Sequence, residues 1–317
     1  MYSNSCNGAN IDDRKALCTG ITSVLAVLPP DQWASSLTTL ANPTIECIEI
    51  LLKSINENRT TADKSKTEER VTRMGEEICV LASAIRTFHT VAKKQPNSSS
   101  EQAKTPLLSL LHRVWPSIAL IAKTLSTQEV VISSLSEFLL IVISLNDDGK
   151  DTGLLKEASE IAITIMDFAS QRHAQCHVMP IMEFVEEMVE TFGHLAEAQV
   201  RTSSPSVIAV EVNQQIHAIV EHLLRKVFHV VQEQSGDENV DALPGFFAVC
   251  RACIRRCPSL FFILTITPES TEKICTASFN ATRLSVASRE FDVIRSTLLY
   301  LNEAVSYENM HLNLYPP

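Results

Sequence analysis

Apolar residues recur at three- and four-residue intervals along almost all of this 317-residue chain. That is the period an α-helix imposes on the side it buries. Between Glu68 and Lys94 the series is Val71, Met74, Ile78, Leu81 and Ile85; between Asp12 and Leu28 it is Leu17, Ile21, Val24, Leu25 and Leu28. Nowhere does a two-residue alternation meet a hairpin turn, so the pattern predicts helices and no sheet. Only 8 glycines are present, few for the turns and ligand loops of an α/β enzyme of this length. The 45% of hydrophobic residues suffice for a large core or for a row of small ones.

The breaks between periodic segments set the architecture. Pro29-Pro30 ends the first helix and Asp31 is placed to cap the second, which spans Gln32 to Ile55 and bends near Asn42-Pro43. Residues 56–67 and the low-complexity stretch 95–104 read as flexible loops. Thr105-Pro106 opens a helix that runs to Leu125 and is kinked by Pro116. Thr127 starts a helix through Leu145, and residues 146–149 form a turn. Further helices follow over 154–171, 179–198, 205–232, 243–257, 269–284 and 288–305. Two consecutive helices with their loops take about 40–50 residues, the period of HEAT and armadillo units. The expected fold is an all-α, HEAT-type α-solenoid, a single array over residues 1–317 in which each helix pair buries one face on its neighbour.

Charge narrows the range of functions. The net charge of −10 gives no bulk electrostatic footprint for nucleic acid. Between Thr127 and Val200 stand 13 acidic residues against three basic ones, which leaves the rest of the chain balanced. In the segment MPIMEFVEEMVETFGHL, the residues Ile181, Phe184, Val185, Met188 and Phe192 form an apolar stripe, with Glu183, Glu186, Glu187 and Glu190 as a ridge on the other side. Two readings are open: a solvated face, or a docking surface for a basic protein partner. No apolar run reaches membrane-spanning length; the strongest, Phe138–Ile143, is far too short, and no membrane partner is expected.

The segment LPGFFAVCRACIRRC poses the question of chemistry. On a helix, Phe246, Cys250, Cys253, Ile254 and Cys257 share one stripe, while Arg251, Arg255 and Arg256 lie on the other side. Three sulfurs strung along two turns diverge by about 10 Å. Neither Cys275 nor His229 supplies a fourth ligand at a recognisable spacing, so the stripe reads as a packing face. The start of the chain carries no apolar h-region, and the 9 cysteines are expected as free thiols in a reducing compartment. On that basis the sequons at Asn58, Asn97 and Asn280 are chance matches. His173 and His177, and His217 and His222, are spaced four and five apart without a nucleophile or metal motif; His89, His112 and His229 follow helical positions as structural residues. No phosphate loop or dinucleotide fingerprint is present. The expected protein is not an enzyme and needs no cofactor.

A resemblance adds to this reading. The segment LLHRVWPSIALIAKTLSTQEVVISSLSEFLLIVISL is similar to the C-terminal half of the importin-β superfamily, in particular its transportin-SR and importin-thirteen branch. There, a helix bearing Trp-Pro, as at Trp115-Pro116, precedes a helix pair and then a helix ending in an acidic-aromatic-Gly turn, matched by Val189–Gly193. A helix carrying Phe-Phe and ending in Cys-Pro follows, matched from Phe246-Phe247 to Cys257-Pro258, and SREFDVIRSTLLYL fits the next one. The early stretch ITSVLAVLPPDQWASSLTTLANPTIECIEILL is similar to a hairpin of the same family. The resemblance implies a C-terminal HEAT portion of a nuclear transport receptor, binding protein cargo under Ran control and shuttling between nucleus and cytoplasm. Ran GTPase and nucleoporins would be met through the full-length parent. The segment matching the branch's arginine-rich, phospho-Arg-Ser-binding helix is Val130–Leu145, which has no arginine and contains Glu137; a basic cargo is expected instead. The alternative is a HEAT scaffold of a multiprotein complex unrelated to transport.

Overall fold

The computed structural model describes residues 10–57, 64–95, 100–125, 128–146, 151–170, 179–201, 206–233, 243–263, 273–287 and 290–312. Its helices are α1 (Ile11–Leu25), α2 (Pro30–Glu57), α3 (Lys64–Ala92), α4 (Ser100–Leu125), α5 (Glu129–Leu145), α6 (Thr152–Ser170), α7 (Met179–Arg201), α8 (Val207–Glu233), α9 (Leu243–Arg256), α10 (Pro258–Ile263), α11 (Ile274–Ala287) and α12 (Phe291–Leu312). No sheet occurs among the described residues. The helices fall into two compact units, Met1–Leu145 and Asn146–Pro317.

In the first unit α1, α3 and α5 pack side by side, and α2 and α4 form a second layer against them. In the second, α7, α9 and α12 form one row and α6 and α8 lie beside them, with α11 against α12 and α8. This alternation of consecutive helices between two layers is the HEAT arrangement. All five residues of the α3 series beginning at Val71 are buried, as the period requires. Close approach along the rows relies on glycine: a Cβ on Gly75 would stand 2.7 Å from Val130 Cγ1, and one on Gly193 would stand 2.6 Å from Arg256 Cβ.

The first helix is rotated from the expected register. Arg14, Cys18, Thr22 and Ala26 are buried, whereas Leu17 and Val24 are 46% and 63% exposed. The cause is electrostatic. Glu77 on α3 is itself buried and accepts from Arg14 Nη2 at 2.6 Å and from Arg73 Nε at 2.9 Å, and Glu76 lies 3.4 Å from Arg14. The rotation that buries Cys18 and Thr22 also brings Arg14 onto Glu77, and without Arg14 the buried Glu77 would lose its closest cation. Thr22 satisfies its hydroxyl by donating to the Cys18 carbonyl at 2.7 Å, and the Asn10 side chain accepts from the Asp12 amide to cap the helix.

Several boundaries also differ. Pro30 is the first residue of α2, a position where its missing N–H costs nothing, so Asp31 lies inside the helix. α4 begins at Ser100, which places Pro106 and Pro116 within it; α2 extends to Glu57 and α3 begins at Lys64. Residues 58–63 and 96–99, the centres of the two expected loops, lie outside the described residues. Glu101–Leu125 in α4 is long and apolar enough to span a bilayer by length and composition, unlike any segment counted as an uninterrupted apolar run. Its apolar residues are interspersed with Lys104, His112, Arg113 and Lys123, and Leu107, Leu111, Val114, Ile118 and Ile121 are buried in the first unit, as in a core helix. The expected turn at Val189–Gly193 is not a turn: α7 continues to Arg201, because Gly193 admits α9 rather than capping the helix. Pro258, expected to end a helix, begins the short α10.

Candidate functional site

The acidic ridge lies on α7, whose stripe of Ile181, Phe184, Val185, Met188 and Phe192 is fully buried. This burial fixes the rotation of α7 and with it the direction of the four glutamates. Glu183 and Glu187 are exposed; Glu186 and Glu190 are half-buried. The latter two face α9. Arg251 Nη2 donates to Glu186 Oε1 at 3.4 Å, Arg256 Nε donates to Glu190 Oε2 at 2.9 Å, and Arg255 donates to the other oxygen of Glu190. Two turns further on, Glu197 accepts from the amide and hydroxyl of Ser259 at 3.0 and 2.7 Å and so holds the start of α10.

The ridge and the arginine side of α9 therefore form one ladder. Sequence reading treated them separately, although a signal was present: Glu186 and Glu190 are four apart, and so are Arg251 and Arg255. Equal helical spacing of opposite charges on helices that lie side by side lets successive pairs meet. Partly exposed pairs of this kind stabilise by about 0–1 kcal/mol each; their larger effect is to fix the register of α7 on α9. The uncompensated charge of the ridge is concentrated on Glu183 and Glu187.

The cysteine stripe is buried throughout: Phe246, Cys250, Cys253, Ile254 and Cys257 are all in the core. Burial pushes the Cys250 thiol well above its ordinary range, and the neighbouring Cys275 adds to this. A hydrogen bond with Cys257, and then burial, do the same for Cys253. Thiols held neutral in this way are poor nucleophiles and poor ligands. Among the described residues no group of His, Cys, Asp and Glu is arranged to hold a metal ion. His173, His177 and the side chain of His229 lie outside the described residues. His217 pairs with Glu221 along α8 at 3.0 Å, and His222 reaches Asp167 on α6 at 2.9 Å, a link between helices. An open groove of about 620 Å³ runs between α9 and α12, and its rim balances Arg251 and Arg295 against Glu290 and Asp292.

Among the described residues the site is a surface of paired charges beside a buried cysteine stripe. No protein-family model and no curated protein matches the sequence. Among solved structures, importin 13 in its cytosolic state is similar over 95% of this chain, with a TM-score of 0.65 and 13% identity. A computationally designed self-assembling cyclic homooligomer matches 85% of this chain and 97% of its own at 15% identity, with a TM-score of 0.46. This chain spans 29% of the length of the importin structure. At this level of identity the likeness concerns the fold, and the fold is an all-α, HEAT-type solenoid of the kind importin 13 displays.

Proposed function

We propose that this chain is part of a nuclear transport receptor that binds protein cargo for nucleocytoplasmic transport under Ran control. The observation that carries the reading is the structural likeness to importin 13 over 95% of the chain, joined to a surface that bears a ladder of charges. In this reading the protein shuttles between nucleus and cytoplasm and meets Ran and nucleoporins through its full-length parent.

The cargo is a basic protein. Glu183 and Glu187 offer carboxylates to it directly, whereas Glu186 and Glu190 are held by arginines of α9. Binding of a Lys/Arg-rich polypeptide is measured across a range of salt concentrations for the natural chain, for Glu183→Gln with Glu187→Gln, and for Glu186→Gln with Glu190→Gln. The first double variant is expected to bind more weakly and with a shallower salt dependence; affinity and slope unchanged in both variants would reject the ridge as a docking site. Transport is tested separately, by adding RanGTP to the full-length parent loaded with cargo. Cargo affinity that is neither lowered nor raised by saturating RanGTP would instead favour a scaffold role.

A further inference from the structure

Two of the four ridge glutamates already hold cations of this chain. Glu186 takes Arg251 at 3.4 Å, and Glu190 takes both Arg255 and Arg256, the latter at 2.9 Å. The two guanidinium groups on Glu190 reach different oxygens, so both acceptors of that carboxylate are engaged by charge-assisted bonds. The packing of the helices builds this contact in. Gly193 lies one turn beyond Glu190 on α7, and its lack of a side chain lets Arg256 close on the helix there: an added Cβ would stand 2.6 Å from Arg256 Cβ and 3.5 Å from its Cα.

The charges in this ladder do not balance. Three arginines meet two glutamates, so the α9 side keeps one positive charge in excess. Glu187 stands one turn before Glu190 on the same ridge, within the screening length of about 8 Å over which such charges are felt at physiological salt. Arg255 and Arg256 are 37% and 48% exposed, and Glu190 is 22% exposed. A basic polypeptide approaching the ridge therefore meets guanidinium groups of α9 at the surface. It has two courses: to dock on Glu183 and Glu187 against that excess charge, or to replace a guanidinium on Glu190 with one of its own cations. Partly exposed pairs are individually weak, so the second course exchanges like for like at little cost.

We propose that Arg255 and Arg256 form an autoinhibitory contact: by occupying Glu190 they lower the affinity of the acidic ridge for a basic polypeptide. This rests on the docking role of the ridge proposed above. The test measures binding of a labelled oligolysine peptide to the full chain at fixed moderate salt. Arg255→Gln with Arg256→Gln is expected to bind about two- to fivefold more tightly than the natural chain, and each single variant to show part of that gain. Arg283→Gln with Arg295→Gln makes the same change of charge at exposed positions of α11 and α12, and its gain should be clearly smaller. In a Glu190→Gln background the gain from the Arg255 and Arg256 changes should vanish, because the carboxylate they release is no longer there. Circular dichroism checks that each variant stays folded, and the single variants carry the test where the double one does not. A gain no larger than that of the Arg283 and Arg295 control, or one that persists in the Glu190→Gln background, would overturn the autoinhibition while leaving the ridge as a docking site. Affinity indifferent to Glu183→Gln with Glu187→Gln as well as to every arginine change would overturn both.

Discussion

Replacing Glu77 with alanine should unfold the first unit more readily than any neighbouring surface change. Its carboxylate is 3% exposed and is the nearest acceptor for Arg14, which is 2% exposed; it also receives Arg73 and the Cys47 thiol, the latter at 3.6 Å. Removing one member of a buried ion pair typically costs 3–5 kcal/mol, because the other charge stays out of water without its counterpart. Glu76, 3.4 Å from Arg14 and 29% exposed, takes over part of the attraction and moves the expected loss to about 3 kcal/mol. With a urea slope of roughly 1–3 kcal/mol per molar, the midpoint should fall by roughly 1–3 M. The assay is local: both tryptophans of the chain, Trp33 and Trp115, lie buried in the first unit, so their fluorescence follows that unit alone. Arg14→Met combined with Glu77→Leu supplies the control, since an apolar pair of similar volume should be near neutral or stabilising, and the cycle isolates the coupling. A loss below about 1 kcal/mol for Glu77→Ala, or a double variant as unstable as the single one, would refute the claim that this pair sets the rotation of α1.

Two further outcomes follow from the second unit. Gly193→Ala should destabilise α7 on α9, since the new methyl would stand 2.6 Å from Arg256 Cβ and 3.4 Å from its carbonyl carbon. Overpacking of this kind costs about 1–3 kcal/mol, Gly193→Leu should cost more, and thermal denaturation followed by circular dichroism reads both. Stability should also fall in alkali. Cys250, Cys253 and Tyr300 all hold their protons more tightly in the folded chain than the ordinary thiol value of 9.0 and phenol value of 10.0. Above pH 9 the unfolded chain therefore binds fewer protons than the native one, and the stability present below that value declines as pH rises. The check is a set of urea midpoints from neutral pH to one unit above 9, with a flat profile counting against it.

The sequence alone determined the helices, because a helix repeats its buried side every three to four residues whatever it packs against. The buried faces of α3 and α7 were legible for that reason: their stripes are strongly apolar, and a stripe fixes the rotation of its helix. The cysteine side of α9 was legible on the same ground. α1 was not, because its buried side carries Arg14 and Thr22, and the partner that makes this possible, Glu77, lies 63 residues away. The family resemblance placed a turn at Gly193, yet this residue lies within α7 and is kept small by Arg256 on another helix. The acidic ridge was visible as four glutamates; that two of them answer to Arg251, Arg255 and Arg256 depended on α7 and α9 lying side by side. Periodicity is a local property of the chain and can be read along it. Charge pairing and close approach depend on which helices become neighbours, and only the packed structure settles that.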